Sequence, residues 1–248
     1  RNTPILLTRL EAGDGSAVEI LDFCPRYERS GRMYRPVAYA RIVRPIAGNP
    51  RIKVVLKPMK NYGAEVADAT NGTNHIRYLT QGQALRLSTD AAVGYILDKR
   101  VFRIEEDTHF FLGPDEPFVG NLREQVRRME QSTRSYWQHW ARSLATPFEW
   151  QQEVIRAAIT LKLCQHEETG AIVAALTTSI PEAPNSERNW DYRYCWIRDS
   201  TLTLYALLNA GYRDEALAWR RWLLRAAAGH PENLHIMFGI AGERWLPE

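Results

Sequence analysis

A short run of the sequence combines several aromatic residues with an adjacent pair of opposite charges. It contains the aromatic residues Trp190, Tyr192 and Trp196 and ends in the adjacent Arg198 and Asp199. A sugar ring offers an apolar face of C–H bonds and a rim of hydroxyl groups, so its site needs aromatic surfaces beside fixed charged hydrogen-bonding groups. Arg198 donates through a planar fork and Asp199 accepts, so the pair could clamp neighbouring hydroxyls.

The same residues also have an ordinary structural interpretation. Asp199 could cap the helix that follows it, Arg198 could be its ion-pair partner on the surface, and the aromatic side chains could fill a core. The two roles are compatible, because a capping carboxylate can keep one oxygen free for a substrate. Residue types and spacing therefore leave both interpretations open.

The period of the apolar residues predicts helices on both sides of this run. Apolar side chains recur at three- and four-residue steps over 122–144, and Asn121 with Glu124 resembles a capping box, which indicates one long amphipathic helix. Three further helices are expected: one that opens at 146–149 with Thr146 as its cap and ends by Gly170, one over 199–210, and one over about 214–228. The connection 171–198 is too long for a plain turn, which favours a functional role.

The first 117 residues have the pattern of short strands. Residues 51–57 and 84–88 alternate apolar and polar side chains, and glycine turns such as Asn71-Gly72 separate the runs. Further β-rich runs are 17–23, 39–46, 94–104 and 108–112. Many short strands without intervening helices indicate an antiparallel β-sandwich. Two prolines in 113–117 mark its end, so we expect an α+β multidomain chain: a sandwich (1–117), a linker helix (118–146) and a helical part (147–248).

Composition excludes several classes of partner. The formal net charge is +3, with 32 Lys and Arg against 29 Asp and Glu, which leaves no strong field for nucleic acid or acidic lipid. The sequence has no membrane-spanning apolar stretch, and its first residues lack the pattern of a signal peptide, so we expect neither a membrane nor a nucleic-acid partner. Its three cysteines lack the spacing of a zinc site or the even count of a disulfide scaffold, so we expect a cytoplasmic protein with reduced thiols and without metal or cofactor.

The run 189–199, with 169–175 and 177–182 before it, resembles bacterial glycoside hydrolase family 15, which includes glucoamylases, glucodextranases and trehalases. The similarity continues through 236–240 and Gly242-Glu243, and back through the linker helix. It therefore covers nearly the whole chain, with a motif far more specific than a lone glycine pattern.

The resemblance implies a fold and an activity. The expected fold is an N-terminal β-sandwich and a linker helix on a six-hairpin (α/α)6 barrel, of which this chain holds the first helices. The expected activity is inverting hydrolysis that releases glucose from the non-reducing end of α-glucans or from trehalose. The substrate-binding residues that the resemblance implies are Tyr192, Trp196, Arg198 and Asp199, and Trp190 is a weaker assignment.

The resemblance also implies that the catalytic pair lies elsewhere. Inverting hydrolysis needs one protonated and one ionised carboxyl group, and in the similar enzymes both are glutamates beyond the equivalent of Glu248. We interpret Glu182, Glu243 and Glu248 as loop or surface carboxylates and assign no catalytic residue. The chain is therefore expected to be part of a longer enzyme, inactive alone, whose remaining barrel would cover Trp219, Trp222, Leu223 and Leu224.

Two rival functions stay open. One is a disaccharide phosphorylase of similar architecture, in which phosphate replaces water. The other is a non-catalytic carbohydrate-binding module whose working part is the β domain. The sequence also leaves open which glucosidic linkage is cleaved and whether the protein forms a homo-oligomer.

Overall fold

The computed structural model describes residues 1–80, 82–177, 182–186, 190–229, 232 and 234–246, with the backbone alone at Tyr62. It divides into two compact units. We call residues 4–138 the sheet unit, and residues 139–248 together with 1–3 the helical unit. Within the described residues, no helix is both long and apolar enough to cross a membrane.

The sheet unit is made mostly of short strands. In chain order they are β1 (Leu6–Glu11), β2 (Ala17–Phe23), β3 (Tyr27–Arg29), β4 (Arg32–Tyr34), β5 (Tyr39–Ala47), β6 (Arg51–Lys53), β7 (Met59–Lys60), β8 (Glu65–Val66), β9 (Asp68–Asn71), β10 (His75–Thr80), β11 (Gln83–Thr89), β12 (Val101–Arg103) and β13 (Thr108–Pro114). A 3₁₀ turn (Asn61–Gly63) and the short helix α1 (Val93–Leu97) interrupt them. One antiparallel seven-stranded sheet has the order β1-β2-β5-β13-β11-β10-β9, and the pairs β3-β4, β6-β12 and β7-β8 form small sheets.

Alternation along the strands gives the large sheet two apolar faces. In β2, Val18 and Ile20 contribute to a core cluster on one face, whereas Leu21 and Phe23 contribute to a second cluster on the other. Successive side chains of a strand point to opposite faces, so a strand with apolar residues at both odd and even positions can serve both. The second cluster includes Val126, which lies in the long helix α2 (Leu122–Arg142). The α2 segment within the sheet unit therefore covers one face of the sheet.

The helical unit contains three helices and one small sheet among its described residues. The helices are α3 (Gln151–Leu163), α4 (Ile197–Asn209) and α5 (Arg213–Ala226), and the strands are β14 (Cys195–Trp196) and β15 (Met237–Phe238). A fully buried core joins Ile172, Cys195, Trp222 and Phe238. This core lies directly under the run that the sequence singles out for sugar recognition.

A buried polar cluster stabilises the other side of the helical unit. Lys162 Nζ donates to Glu215 Oε1 and to Gln165 Oε1, both at 2.9 Å, and the three residues are more than nine-tenths buried. Trp140 Nε1 also donates to Glu215 Oε1 at 3.3 Å, and its ring stacks on Tyr212 at 4.3 Å. A buried charge pair is tolerated only with such additional hydrogen bonds. These contacts fix the position of α3 relative to α5.

The coarse expectation of a β-rich first part followed by helices is confirmed, because a large antiparallel sheet precedes α2 to α5. Asn121 Oδ1 also accepts a hydrogen bond from Glu124 N at 3.3 Å, as expected for the cap of α2. The sandwich, the (α/α)6 barrel and the boundaries at 117 and 146 stay predictions.

The predicted start of α3 at Thr146 is wrong. Trp150 precedes the helix in a left-handed backbone conformation (φ 59°), and no side chain caps the first turn. Such a conformation cannot continue a helix, so α3 begins at Gln151. Trp150 itself is 71% exposed.

Helix α3 ends earlier than the predicted limit at Gly170. The helix ends at Leu163, and the following turn closes when His166 N donates to Ala171 O and Gly170 N donates to His166 O, both at 2.8 Å. Gly170 does adopt a positive φ of 87°, but it serves this turn rather than the end of the helix.

Two expectations for the sheet unit also need correction. Residues 94–104 are not a continuous β-rich run, because Val93 and Ile96 are buried at helical spacing in α1 and only Val101–Arg103 form a strand. Residues 51–57 form a strand only as far as Lys53, where the three-residue partner β12 ends. Val54 and Leu56 still pack against the core. The alternation of apolar and polar residues therefore predicts the burial of these side chains, but it does not predict how far the strand pairing extends.

The expected exposure on α5 is partly wrong. Trp219 and Trp222 are buried at 6% and 1% exposure, because residues 171–173 and β15 cover them, and Leu223 packs against the same core. Leu224 is 60% exposed, as expected.

Gly170 gives a direct test of the packing in the helical unit. A Cβ at this position would lie 2.6 Å from the Ala218 carbonyl carbon, and closer to its oxygen, in the backbone of α5. We expect Gly170→Ala to lower the free energy of unfolding by about 2–4 kcal/mol, from the positive φ and from overpacking. Urea denaturation of the chain measures this loss.

Gly211→Ala is the matched control. Gly211 has a similar φ of 93°, but its Cβ would meet only Ser143 O at 3.8 Å. It should lose about 1 kcal/mol, from the backbone conformation alone. Equal losses for the two variants would contradict the close approach of Gly170 to α5.

Candidate functional site

Strand β14 positions the sugar-recognition run by pairing with a segment from much later in the chain. Cys195 pairs with Phe238 and Trp196 pairs with Met237, and Ile197 N donates to Ile236 O at 3.0 Å. Cys195 is fully buried, and burial raises the pKa of its thiol to about 12, with a smaller contribution from the Glu243 carboxylate. The apolar side of this small sheet therefore anchors the polar residues that follow it.

A third segment lies against the same run. Ala174 N donates to Tyr194 O at 3.1 Å, and Ala175 N donates to Tyr192 O at 2.7 Å. The Ser200 hydroxyl in α4 donates to Ile172 O at 2.8 Å. Residues 171–175, 190–200 and 236–243 thus converge through backbone hydrogen bonds, although they are far apart in the sequence.

Arg198 and Asp199 lie in the first turn of α4. Arg198 Nε and Nη2 both donate to Asp199 Oδ2, at 3.2 and 3.0 Å. The Arg198 side chain is 74% exposed and that of Asp199 is 31% exposed. Among the described residues, Asp199 Oδ1 has no hydrogen-bond partner. The pair therefore presents both an acceptor and exposed donors to solvent.

The interpretation of Asp199 as the cap of this helix is wrong. The helix begins at Ile197, so its N-cap is Trp196, and no side-chain oxygen caps the first turn. Asp199 instead lies inside the first turn, where the positive end of the helix dipole favours a carboxylate. The interpretation of Arg198 as its ion-pair partner is confirmed.

Three aromatic rings are grouped in the residues just before this pair. The rings of Trp190 and Tyr192 lie near that of the half-buried Trp196, at centroid distances of 6.0 and 6.3 Å. Trp190 is 41% exposed and Tyr192 39%, so these two rings do not fill a core. Trp196 Nε1 donates to Asp191 O at 2.9 Å, which fixes the orientation of its indole.

Asp191 and Arg193 were given no role from the sequence, yet they shape the turn that carries the rings. Asp191 Oδ1 accepts from Arg193 N at 2.9 Å, and Asp191 Oδ2 accepts from Arg193 Nη2 at 2.7 Å. These hydrogen bonds lower the pKa of the Asp191 carboxyl. The signal in the sequence is an aspartate in a turn. Its side chain can accept a hydrogen bond from the backbone N–H two residues later, which defines an Asx turn.

The described carboxylates near the run are engaged in loop structure. Glu182 Oε1 accepts from Trp190 Nε1 at 2.7 Å, and Glu243 Oε2 accepts from Ala241 N at 3.0 Å. Both contacts match their interpretation as loop carboxylates. Glu248, residues 178–181 and residues 187–189 lie outside the described residues.

The described part of the chain offers no cluster of three or more His, Cys, Asp or Glu side chains that could hold a metal ion. The run itself offers hydrogen-bonding and apolar side chains. It combines a guanidinium, a carboxylate with one open oxygen, and two partly exposed rings.

Comparison with known proteins identifies a family for the segment that carries the run. Residues 150–247, which contain the whole run and its two supporting segments, match the family model "Glycosyl hydrolases family 15". The chain is 33% identical to the trehalase of Mycobacterium tuberculosis over 227 residues, which are 84% of this chain and 33% of that protein. It is 33% identical to the trehalase of Mycolicibacterium smegmatis over 199 residues (75% of this chain, 28% of that protein).

A third relative is archaeal. The chain is 29% identical to the trehalase of Thermoplasma acidophilum over 227 residues, 88% of this chain and 38% of that protein. The chain thus spans about a third of the length of these curated relatives. The resemblance noted in the sequence is confirmed, and through residues 150–247 the chain belongs to glycosyl hydrolases family 15.

Proposed function

We propose that the protein is part of an inverting glycosidase that releases glucose from trehalose. The observation that carries the proposal is the Arg198–Asp199 pair at the start of α4, beside Tyr192 and Trp196, in the segment that the family model matches. The matched relatives are named trehalases, which favours trehalose over α-glucans as the substrate.

Arg198 and Asp199 would hold hydroxyl groups of one glucose unit. A guanidinium only donates hydrogen bonds and an ionised carboxylate only accepts them, whereas a hydroxyl does both. Asp199 Oδ1 is open, and Arg198 keeps N–H groups that are not directed at Asp199. Two adjacent hydroxyls could therefore bridge the pair without separating it.

Tyr192 and Trp196 would contact the apolar side of the same sugar. Their centroids are 6.3 Å apart and their planes are inclined by 53°, so the rings form two walls of a corner rather than one flat surface. Trp190 is a weaker candidate, because its Nε1 is already bound to Glu182.

The bond-breaking groups would come from elsewhere in the enzyme. Inversion requires two carboxyl groups about 6.5–9.5 Å apart, with a water between one of them and the sugar. We assign neither to this chain, and we expect the 248 residues alone to release no glucose.

The surface of α4 supports further helices around this site. Leu202 and Tyr205 are 64% and 68% exposed, at a spacing that puts them on one face of the helix. Large exposed apolar side chains in one patch favour cover by another element. We propose that this element is the remainder of a six-hairpin barrel, following a β-sandwich (1–117) and a linker helix (118–146), in a cytoplasmic enzyme.

The binding role of the pair can be tested in the enzyme extended to the length of its relatives. Arg198→Ala and Asp199→Asn should each lower kcat/KM for trehalose by roughly a hundredfold or more, because each change leaves a buried substrate hydroxyl without its partner. Initial rates of glucose release measure the effect. Arg220→Ala, at an exposed position in α5, is the control and should leave kcat/KM unchanged. Near-normal rates for both site variants would remove the pair from the site.

The reaction type can be read from the first products. Trehalose joins two glucose units through both anomeric carbons in the α configuration, so inversion at one centre should initially yield equal amounts of α- and β-glucose. Proton NMR of the early reaction measures this ratio. Only α-glucose would contradict inversion, and glucose 1-phosphate formed in phosphate buffer would favour the phosphorylase instead.

A further inference from the structure

The sheet unit contains a polar cavity that the proposed function does not use. Its volume is about 430 Å³, and it lies between strand β11, the residue before β10 and the start of α2. The polar groups that line it are Asn74, Arg86, Ser88, Asp90 and Arg123, together with the first turn of α2. Its chemistry is therefore distinct from the aromatic run in the helical unit.

Strand alternation turns two of these side chains into the cavity. Leu85 and Leu87 pack in the core cluster on one face of the sheet, so Arg86 and Ser88 point to the opposite face, where α2 packs. Ser88 is only 7% exposed, and its hydroxyl has no hydrogen-bond partner among the described residues. A hydroxyl in this position is available to a ligand in the cavity.

Two arginines line the cavity, and each has a carboxylate close to it. The Arg86 side chain is 15% exposed, its Nε has no partner, and its Nη1 is 3.5 Å from Asp115 Oδ1. Arg123 Nη1 donates to Glu106 Oε2 at 2.6 Å, but the Glu106 side chain is 71% exposed. Solvent weakens such a surface ion pair, so Arg123 keeps donors for a second anion.

The start of α2 adds backbone donors. Asn121 accepts hydrogen bonds from Glu124 N and Gln125 N, at 3.3 and 3.2 Å, which leaves the N–H groups of Leu122 and Arg123 without a partner inside the helix. The N-terminus of a helix of this length also carries a partial positive charge. Both features favour an anion at this end of the cavity.

One carboxylate lines the cavity, but it is already bound. Asp90 Oδ1 accepts from His109 N at 2.7 Å, and Asp90 Oδ2 contacts His109 Nδ1 at 2.8 Å. Burial would raise the pKa of Asp90, but the hydrogen bonds from His109 outweigh it and the pKa is lowered. Asp90 is thus ionised and directed toward His109, although its Oδ2 also lies 3.6 Å from Arg123 Nε. The ion pair of Arg86 is with Asp115 instead.

We infer that this cavity binds a small tetrahedral dianion, held by Arg86, Ser88, Arg123 and the first N–H groups of α2. The donors approach from a strand, from a helix start and from a long side chain, and a tetrahedral ion presents acceptor oxygens in all of these directions. Sulfate, inorganic phosphate and small phosphate monoesters share this chemistry. The inference does not depend on the glycosidase proposal.

Calorimetry on the whole chain tests the site directly. Sodium sulfate is titrated at constant ionic strength against a sodium chloride reference, and glycerol 3-phosphate is titrated in a second series. We expect saturable binding at one site, weakened about tenfold or more in Arg86→Met, because a buried charged donor is lost. Ser88→Ala and Arg123→Gln should each weaken it about threefold or more, whereas Arg100→Gln, with a side chain that is 65% exposed and outside the cavity, should not change it.

The possible outcomes distinguish a free dianion from a phosphate monoester, and they also show whether the inference fails. Equal affinity for sulfate and glycerol 3-phosphate supports a site for the free dianion, and tighter binding of the ester supports a site for phosphate monoesters. Circular dichroism checks that each variant folds. If Arg86→Met does not fold, the affinities of Ser88→Ala and Arg123→Gln test the inference. Heats no larger than those of chloride, or unchanged binding in the folded cavity variants, would overturn the inference.

Discussion

The pairing of Cys195–Trp196 with Met237–Phe238 is the interaction on which the candidate site depends. Cys195 and Phe238 are fully buried against Trp222, so this two-residue ladder cannot move without opening the core of the helical unit. Helix α4 begins immediately after the ladder, and its first turn carries Arg198 and Asp199. The apolar side of the strand pair therefore fixes the direction of the charged residues that follow.

Local sequence patterns predicted a strand or helix well where its apolar faces or its cap determine its bounds. Residues 17–23 form β2 because both faces of that strand find apolar partners, and α2 begins where its cap predicts. The predictions failed where residues far away in the sequence determine the local structure. The ladder of residues 51–57 ends early because its partner β12 is short, and Trp219 is buried by segments that are far from it in the sequence.

The residues of the proposed site could be named from the sequence, but their arrangement could not. Residue types and the family resemblance pointed to Tyr192, Trp196, Arg198 and Asp199, and these side chains lie on one short stretch in the structure. The role of Asp191 in orienting Trp196 and Arg193 was missed, although its spacing from Arg193 is that of an Asx turn. The support from residues 171–175 likewise comes from main-chain hydrogen bonds, which carry little sequence signal.

The energetics of the Arg198–Asp199 contact argue for a binding role rather than a stabilising one. An ion pair whose arginine is 74% exposed contributes roughly 0–1 kcal/mol, and adjacent residues on a helix do not face each other, so this pair is a weak source of stability. Both arginine contacts also fall on the same oxygen of Asp199, which leaves the other oxygen open. A sugar that entered here could use that oxygen and the outer guanidinium donors at once. It would gain charge-assisted hydrogen bonds without breaking a buried interaction, because the buried residues that position the pair lie in the strand behind it.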